Sequence, residues 1–541
     1  MKTVNRQETR PQDVPRTQRN HNVTVLSSMP AGKVVPLAAV PLLREDALRG
    51  LGMNIAVEMH ETVEVLMNPV HVIVQAHLVP WLAFDRFEGS EDQFNRSYMG
   101  QKKTDDAGAA VVPFIEKHAM GAHGSVEVYK RLGLHGNPTD QVNTAYLEAY
   151  NKIWNFRAKN RSPSIVERAR LDGTLAQAFW PASRFQHIVP NFDQAVIDGE
   201  VALNLVNKRI PVMGIGVGGN VTTAGQIVGI KESGSQTAPT WNHWFNGSNV
   251  GIKATGLNGF PDVWAELQEN GVTLSLSNLE LAKKTQAFAK IREQYNELDD
   301  EWVIDMLMDG LSIPNQALKQ PILLGQQSAK FGQAKRYATD SGNLDESVVS
   351  GLAALSMRLR APRLHVGGVV MVTAEVVPEQ LFERQKDPFF HLGSVDELPE
   401  FMRDTLDPEK VEVVQNGFID TSHATPNGTF GYAPLNHKWT TFGPRIGGRF
   451  LRPTANTATD VARQRIWAVE TVNPQLSQNF YVVSDIHLKP FVDQTTDPFD
   501  VVIVGNGVIE GNTVFGGVLH ENATDYDAIM AKAPQQRIVK P

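Results

Sequence analysis

Gly214-Ile-Gly-Val-Gly-Gly219 has the glycine spacing of a phosphate loop. A dinucleotide fingerprint also needs a buried strand before it, a helix opening at the last glycine and an acid about 20 residues on. Asn220-Val-Thr-Thr-Ala224 follows instead. That is a poor helix start, so the segment reads as a turn-rich loop. The fifteen histidines show no metal pattern. His71 and His77 would share a strand face but lie about 20 Å apart. His118 and His123 fall in a loop, and no His-Glu-x-x-His occurs. Nucleophile chemistry has no anchor either. Gly-x-Ser-x-Gly is absent, and Glu232-Ser-Gly-Ser235 is a polar loop. Asp299-Asp300-Glu301 reads as a charge run at a helix start, where the dipole favours it. A glycosidase-type carboxylate pair stays open, because such pairing is spatial. No catalytic residue, metal ligand or cofactor is assigned.

Two basic groups have a use that needs no catalysis. Arg358-Leu-Arg-Ala-Pro-Arg363 is compact. It reads as a solvated loop before a strand or as a phosphate contact through Arg358, Arg360 and Arg363, without base readout. Residues 1–30 carry Arg6, Arg10, Arg16 and Arg19 against Glu8 and Asp13. With few large apolar residues they read as a solvated tail or as a basic arm against nucleic acid.

The elements that must position such residues are mostly strands. Val57, Met59, Val63, Val65 and Met67 fall on one parity and Glu58, His60, Thr62 and Glu64 on the other. Val70, Val72, Val74, Ala76 and Leu78 make a second one-face set, with Asn68-Pro69 as the connection. A strand ends at Pro80 and leads straight into a helix bearing Trp81 and Phe84. Residues 145–159 read as a helix with Tyr146, Tyr150, Ile153 and Trp154 at helical spacing. Ser162-Pro163 breaks the chain, and Ile165–Leu171 starts another helix. Residues 205–272 are rich in Gly, Asn, Ser and Thr and read as a long surface excursion. Ser277–Glu297 reads as a helix with Leu281, Phe288, Ile291 and Tyr295 as its apolar stripe and Ser277 as N-cap. Trp302–Met308 reads as a short helix. After residue 350 strands return, at Leu364–Val377 around Gly367-Gly368, Val411–Val414, Thr429–Tyr432, Val501–Val504 and Thr513–Leu519. Gly505-Asn506-Gly507 reads as a hairpin turn between the last two. Strands at both ends fit one antiparallel barrel interrupted by insertions.

Composition narrows the class. The chain has 541 residues, 42% of them hydrophobic, and a formal net charge of −8. That balance argues against a whole-surface nucleic-acid coat and leaves room for local basic patches. With no cysteine, disulfides and Cys-ligated zinc or iron–sulfur sites are excluded. The N-terminus lacks the apolar core of a secretory signal. No window approaches the roughly 20 apolar residues of a membrane span, so no membrane insertion is expected.

Five segments, in fixed order, carry a resemblance. They are Ala76-His-Leu-Val-Pro-Trp-Leu-Ala-Phe-Asp-Arg-Phe-Glu-Gly89, Ala145-Tyr-Leu-Glu-Ala-Tyr-Asn-Lys-Ile-Trp-Asn-Phe-Arg157, Leu274 to Phe288 followed by Gln320-Pro-Ile-Leu-Leu-Gly325, Phe430-Gly-Tyr-Ala-Pro-Leu-Asn-His-Lys-Trp439 with Gly447–Phe450, and Gln475–Tyr481. Together they resemble the major capsid proteins of the Microviridae, the small icosahedral single-stranded DNA phages, and gokushovirus-like members among them. The residues that match the family motifs are Pro80, Trp81, Phe84, Tyr150, Trp154, Asn155, Phe288, Tyr432 and Pro434. The chain departs from the pattern at Arg157-Ala-Lys-Asn160, where the family has an acid after the arginine, and in lacking a Pro-rich ending after Asp493.

The resemblance implies a mainly β fold, an eight-stranded antiparallel jelly-roll barrel with long helical and loop insertions. It implies a 1–30 arm inside the capsid, one capsid domain over 31–541 and a projecting insertion at 205–272. It implies a structural subunit and no enzyme: a T=1 icosahedral shell of about sixty copies built from pentamers around circular single-stranded DNA. Implied partners are further copies, the genome, a small basic DNA-packaging protein, spike and scaffolding proteins and a host surface receptor. The implied location is the virion, after assembly in the bacterial cytoplasm. The competing expectation is a β-rich carbohydrate-binding protein or glycoside hydrolase, which the aromatics and acids permit.

Overall fold

From Leu51 to Met59 buried side chains alternate with exposed or half-buried ones. This period of two forces a strand with one face inward. The computed structural model describes residues 15–190 and 317–515, apart from 104–109, 122–124, 163, 182–184, 186, 338–346, 407–410, 452–464, 468–470 and 484–485. Between these stretches it describes five short strands within 209–266. The chain divides into two compact units, Met1–Phe192 with Ile313–Pro541, and Asp193–Ser312.

The first unit is built on nine strands: β1 (Thr17–Met29), β2 (Val34–Leu42), β3 (Asp46–Thr62), β4 (Val70–Pro80), β5 (Ile322–Lys330), β6 (Gly332–Tyr337), β7 (Ser347–Leu364), β8 (Gly368–Pro378) and β9 (Phe499–Gly511). One sheet runs β1-β9-β3-β7-β6 and the other β5-β4-β8-β2. Every pair is antiparallel. The protein is therefore mainly β, as expected. No sheet closes into a barrel among the described residues. The two sheets share one core, to which Met53, Ile55, Val57, Met357, Val501 and Ile503 contribute from the first, and Val72, Val74, Leu78, Val370 and Val372 from the second.

The α-helices α1 (Glu91–Tyr98), α2 (Glu127–Arg131) and α3 (Ala145–Lys159) follow β4, and α3 covers the outer face of the second sheet, lying against β8 and β4. Hence all eleven residues of β8 are buried. His77, on β4, is 3% exposed. Burial first, and then the charge of Arg157, push its imidazole down from 6.5 to about 4. The unfolded chain thus binds the proton before the folded one. The stabilisation is full above about pH 6.5 and is lost as pH falls toward 4, a loss of roughly 3 kcal/mol. We expect His77→Gln to flatten the dependence of the urea midpoint on pH between 7 and 4.5. An unchanged slope would remove His77 from the account.

Several expectations are corrected. Gly505-Asn506-Gly507 is no hairpin turn. It lies within β9, paired with Met53, Gly52 and Leu51 on one side and with Val23, Asn22 and His21 on the other. A Cβ on Gly505 would sit 2.7 Å from Met53 and 2.8 Å from the Gly52 carbonyl. The glycine serves close packing here, not a turn. The Leu364–Val377 run is two elements: β7 ends at Leu364, Gly367 turns at φ +71, and β8 begins in the other sheet. The 57–67 strand ends at Thr62, because the chain there crosses between sheets. Asn68 anchors that crossing, donating to the Trp467 carbonyl at 3.1 Å and accepting from its N–H at 2.8 Å. After Pro80 come two 3-10 turns, Trp81–Ala83 and Asp85–Phe87, in place of a helix. Gln320–Gly325, part of the third segment of the resemblance, leads into β5, which begins at Ile322. Within the 1–30 segment Thr17–Met29 form the edge strand β1, because β9 supplies its ladder. Residues 1–14, the expected helices Ser277–Glu297 and Trp302–Met308 and the Gly214–Gly219 loop lie outside the described residues.

The second unit includes the expected insertion at 205–272. Its described part has an antiparallel sheet in the order Asn249–Ile252, Thr240–Asn246, Gly229–Lys231, and a separate pair, Trp264–Glu266 with Arg209–Pro211. Among the described residues no helix is long and apolar enough to cross a membrane.

Candidate assembly and nucleic-acid interface

The motif residues of α3 act as a clamp. Tyr150 Oη donates to the Val34 carbonyl and accepts from the Ala176 N–H, both at 2.7 Å. Trp154 Nε1 donates to the Gln177 carbonyl at 2.8 Å, and its ring stacks on Phe179 at 5.5 Å. Asn155 pairs with the backbone of Arg168 in both directions, at 2.9 and 2.8 Å. Asn151 donates to the carbonyls of Arg170 and Asp172 at 3.1 and 2.9 Å. These amides take backbone groups that a helix would use internally, so Ile165–Leu171 is a non-helical strap instead of the expected helix. The strap then joins β2, where Val34 N–H donates to Ala176 at 2.9 Å.

Pro80 ends β4 and turns Trp81 and Phe84 into a buried aromatic cluster. Trp81 meets Phe84 edge-on at 5.1 Å and Phe114 at 5.6 Å, while Phe87 meets Phe94 at 5.3 Å. Arg86 lies 5.0 Å from both the Phe84 and Phe87 rings and pairs with buried Glu148. Arg170 grips Glu116 with two bonds of 2.7 Å, and this holds the Glu116 carboxyl below its ordinary range. Tyr432 and Pro434 lie in the strand Thr429–Pro434, which pairs with Val411–Gln415. The Tyr432 backbone also exchanges two 2.9 Å bonds with Val189. Phe288 lies outside the described residues. The described motif residues are thus framework.

The basic residues separate into two groups. Arg19 pairs with buried Asp46, and Arg16 lies 3.8 Å from both Glu45 and Glu510. Arg363 pairs with Glu45. These three are neutralised in place. Arg6 and Arg10 lie outside the described residues. Arg358 and Arg360 are exposed on the outer face of β7, inside the strand rather than before it, and no ion pair to a described residue holds them. Strand register sets Arg358 opposite Gly52, then Asn506, then Asn22, a polar lane across four strands. A Cβ at Gly50 or Gly52 would meet nothing within 4 Å, so the lane is open above the sheet. Two rows away Leu26, Val502, Ala56 and Ala354 align as an apolar row.

Sequence reasoning missed one surface. Phe389 and Phe390 are 69% and 81% exposed, with Val395, Phe401 and Met402 exposed nearby. Its signal was present as two phenylalanines behind Asp387-Pro388, a turn dipeptide with no apolar period around it. Among the described residues no group of three or more His, Asp or Glu is placed to hold a metal ion. No protein-family model matches the chain, and no curated protein matches it. The class that fold and surfaces define is a two-sheet antiparallel β protein with an open polar lane on one sheet and an exposed aromatic loop.

Proposed function

We propose that this chain is a viral major capsid protein of Microviridae type, forming a T=1 shell of about sixty copies around single-stranded DNA. The observation that carries the reading is strand order. Counting the β6–β7 hairpin as one strand leaves eight, and the first pairs with the last, the second with the seventh, the third with the sixth and the fourth with the fifth. That nesting is what a long antiparallel hairpin yields when it wraps into two sheets. It supports a jelly roll, an architecture that capsid and lectin domains share. The segments with capsid resemblance separate the two readings in favour of the shell. Pentamers, a basic packaging peptide, spike and scaffolding partners, outward projection of 205–272 toward a host receptor, and location in the virion belong to the same proposal.

The test is electron microscopy and sedimentation of the purified protein. Uniform closed shells are expected; a monomer with sugar affinity overturns the reading. Genome contact is assigned to the open lane, because the acidic chain must present positive charge locally. Arg358→Gln with Arg360→Gln is expected to lower the salt slope of single-stranded DNA binding by about 0.7 per charge removed, without base preference. An unchanged slope would move the contact elsewhere.

A further inference from the structure

The exposed loop and an apolar cavity of the first unit are complementary to each other. Asp387 Oδ1 accepts from the N–H groups of both Phe389 and Phe390 at 2.9 Å, and its carboxylate pairs with Arg445. The backbone is therefore locked in a shape that holds two adjacent rings in solvent. An exposed aromatic pair on a braced loop is a feature of binding anchors. Just beyond it lie the exposed acids Glu397 and Glu400.

The cavity lies between the end of the second sheet, α3 and the hairpin Lys117–Ala119/Gln141–Asn143. Its volume is about 340 Å³, and Trp81, Met120, Tyr129, Leu134, Val142 and Tyr146 line it. An apolar cavity of about 150 Å³ accommodates one benzene ring, so this one has room for two. At its mouth are His135 and Asn143. Lys117, paired in register with Asn143, is exposed and forms no ion pair with a described residue. Volume and charge thus match the loop: two rings for the cavity, acids for the lysine beside it.

We propose that Phe389 and Phe390 of one copy enter the cavity walled by Trp81, Tyr129 and Tyr146 of a second copy. This rests on the shell reading and names one contact that builds the shell. Loop and cavity share no residue, so the contact is head-to-tail and closes into a ring when the rotation permits. Its occupant is another copy of this chain.

The chain has no cysteine, so engineered thiols report this contact alone. Phe390→Cys and Leu134→Cys are made in separate preparations and mixed under mild oxidation during assembly. A disulfide-linked dimer is expected in the mixture and in neither preparation alone. Phe389→Ser with Phe390→Ser, at exposed positions, is expected to keep the thermal midpoint and raise the concentration needed for assembly at least tenfold. Val142→Trp, which fills the cavity, is expected to do the same. Shells that form without cross-linking, or Phe390→Cys dimers in the unmixed sample, overturn the contact and leave the shell reading standing. A wild-type chain that stays monomeric at every concentration overturns the shell reading itself.

Discussion

Replacing Arg157 with methionine is expected to cost the folded protein about 3–5 kcal/mol. The Arg157 guanidinium donates to Glu375 at 2.7 Å and lies 4.7 Å from the centre of the Phe179 ring. The side chains are 12% and 3% exposed. Glu375 stands in β8, where every residue is buried. Without the arginine its charge is left in a medium that cannot solvate it, which costs more than the pair itself contributes. Arg157→Met with Glu375→Met removes both charges and is expected to recover most of the loss. Urea midpoints of the two variants decide the matter. If the double variant is as unstable as the single, the loss is one of packing and the charge argument fails.

Trp154→Ala is expected to cost a further about 3–5 kcal/mol by emptying a buried site. Trp154 is 3% exposed, stacks on Phe179 and bonds to the Gln177 carbonyl. Trp154→Phe keeps most of the ring and orphans that carbonyl, so its cost is expected to be about 1–3 kcal/mol. The difference between the variants separates volume from hydrogen bonding. Both should also loosen the strap that joins β2, so amide exchange at Ala176 and Ala178 should rise before that of the β3 core. If exchange rises uniformly across the unit, the strap is not a separate element.

The resemblance at Arg157-Ala-Lys-Asn160 illustrates what local reading misses. The family pattern places an acid next to the arginine, and this chain lacks it. Here the guanidinium finds its acid at Glu375, more than two hundred residues downstream. The candidate phosphate contacts divide on the same ground. Arg16, Arg19 and Arg363 look alike in sequence to Arg358 and Arg360. Only the register of β1, β3, β7 and β9 shows that the first three face acids and the other two face solvent.

What the sequence determined by itself was the direction of the side chains within β3, β4 and α3. Period-two alternation in β3 and β4 and helical spacing in α3 are local consequences of backbone geometry, and they were legible without a partner. The mainly β class followed from them. Tertiary structure alone decided which strands lie side by side. Gly505 and Gly507 satisfy the local rule for a turn equally well, yet β1 and β3 pair with them in a continuous strand, and β3 comes within 2.8 Å of where a Cβ on Gly505 would stand. Ile165–Leu171 had a helical pattern, and two asparagines of α3 captured its backbone first. Partner choice depends on residues hundreds of positions apart, and no local pattern carries that information.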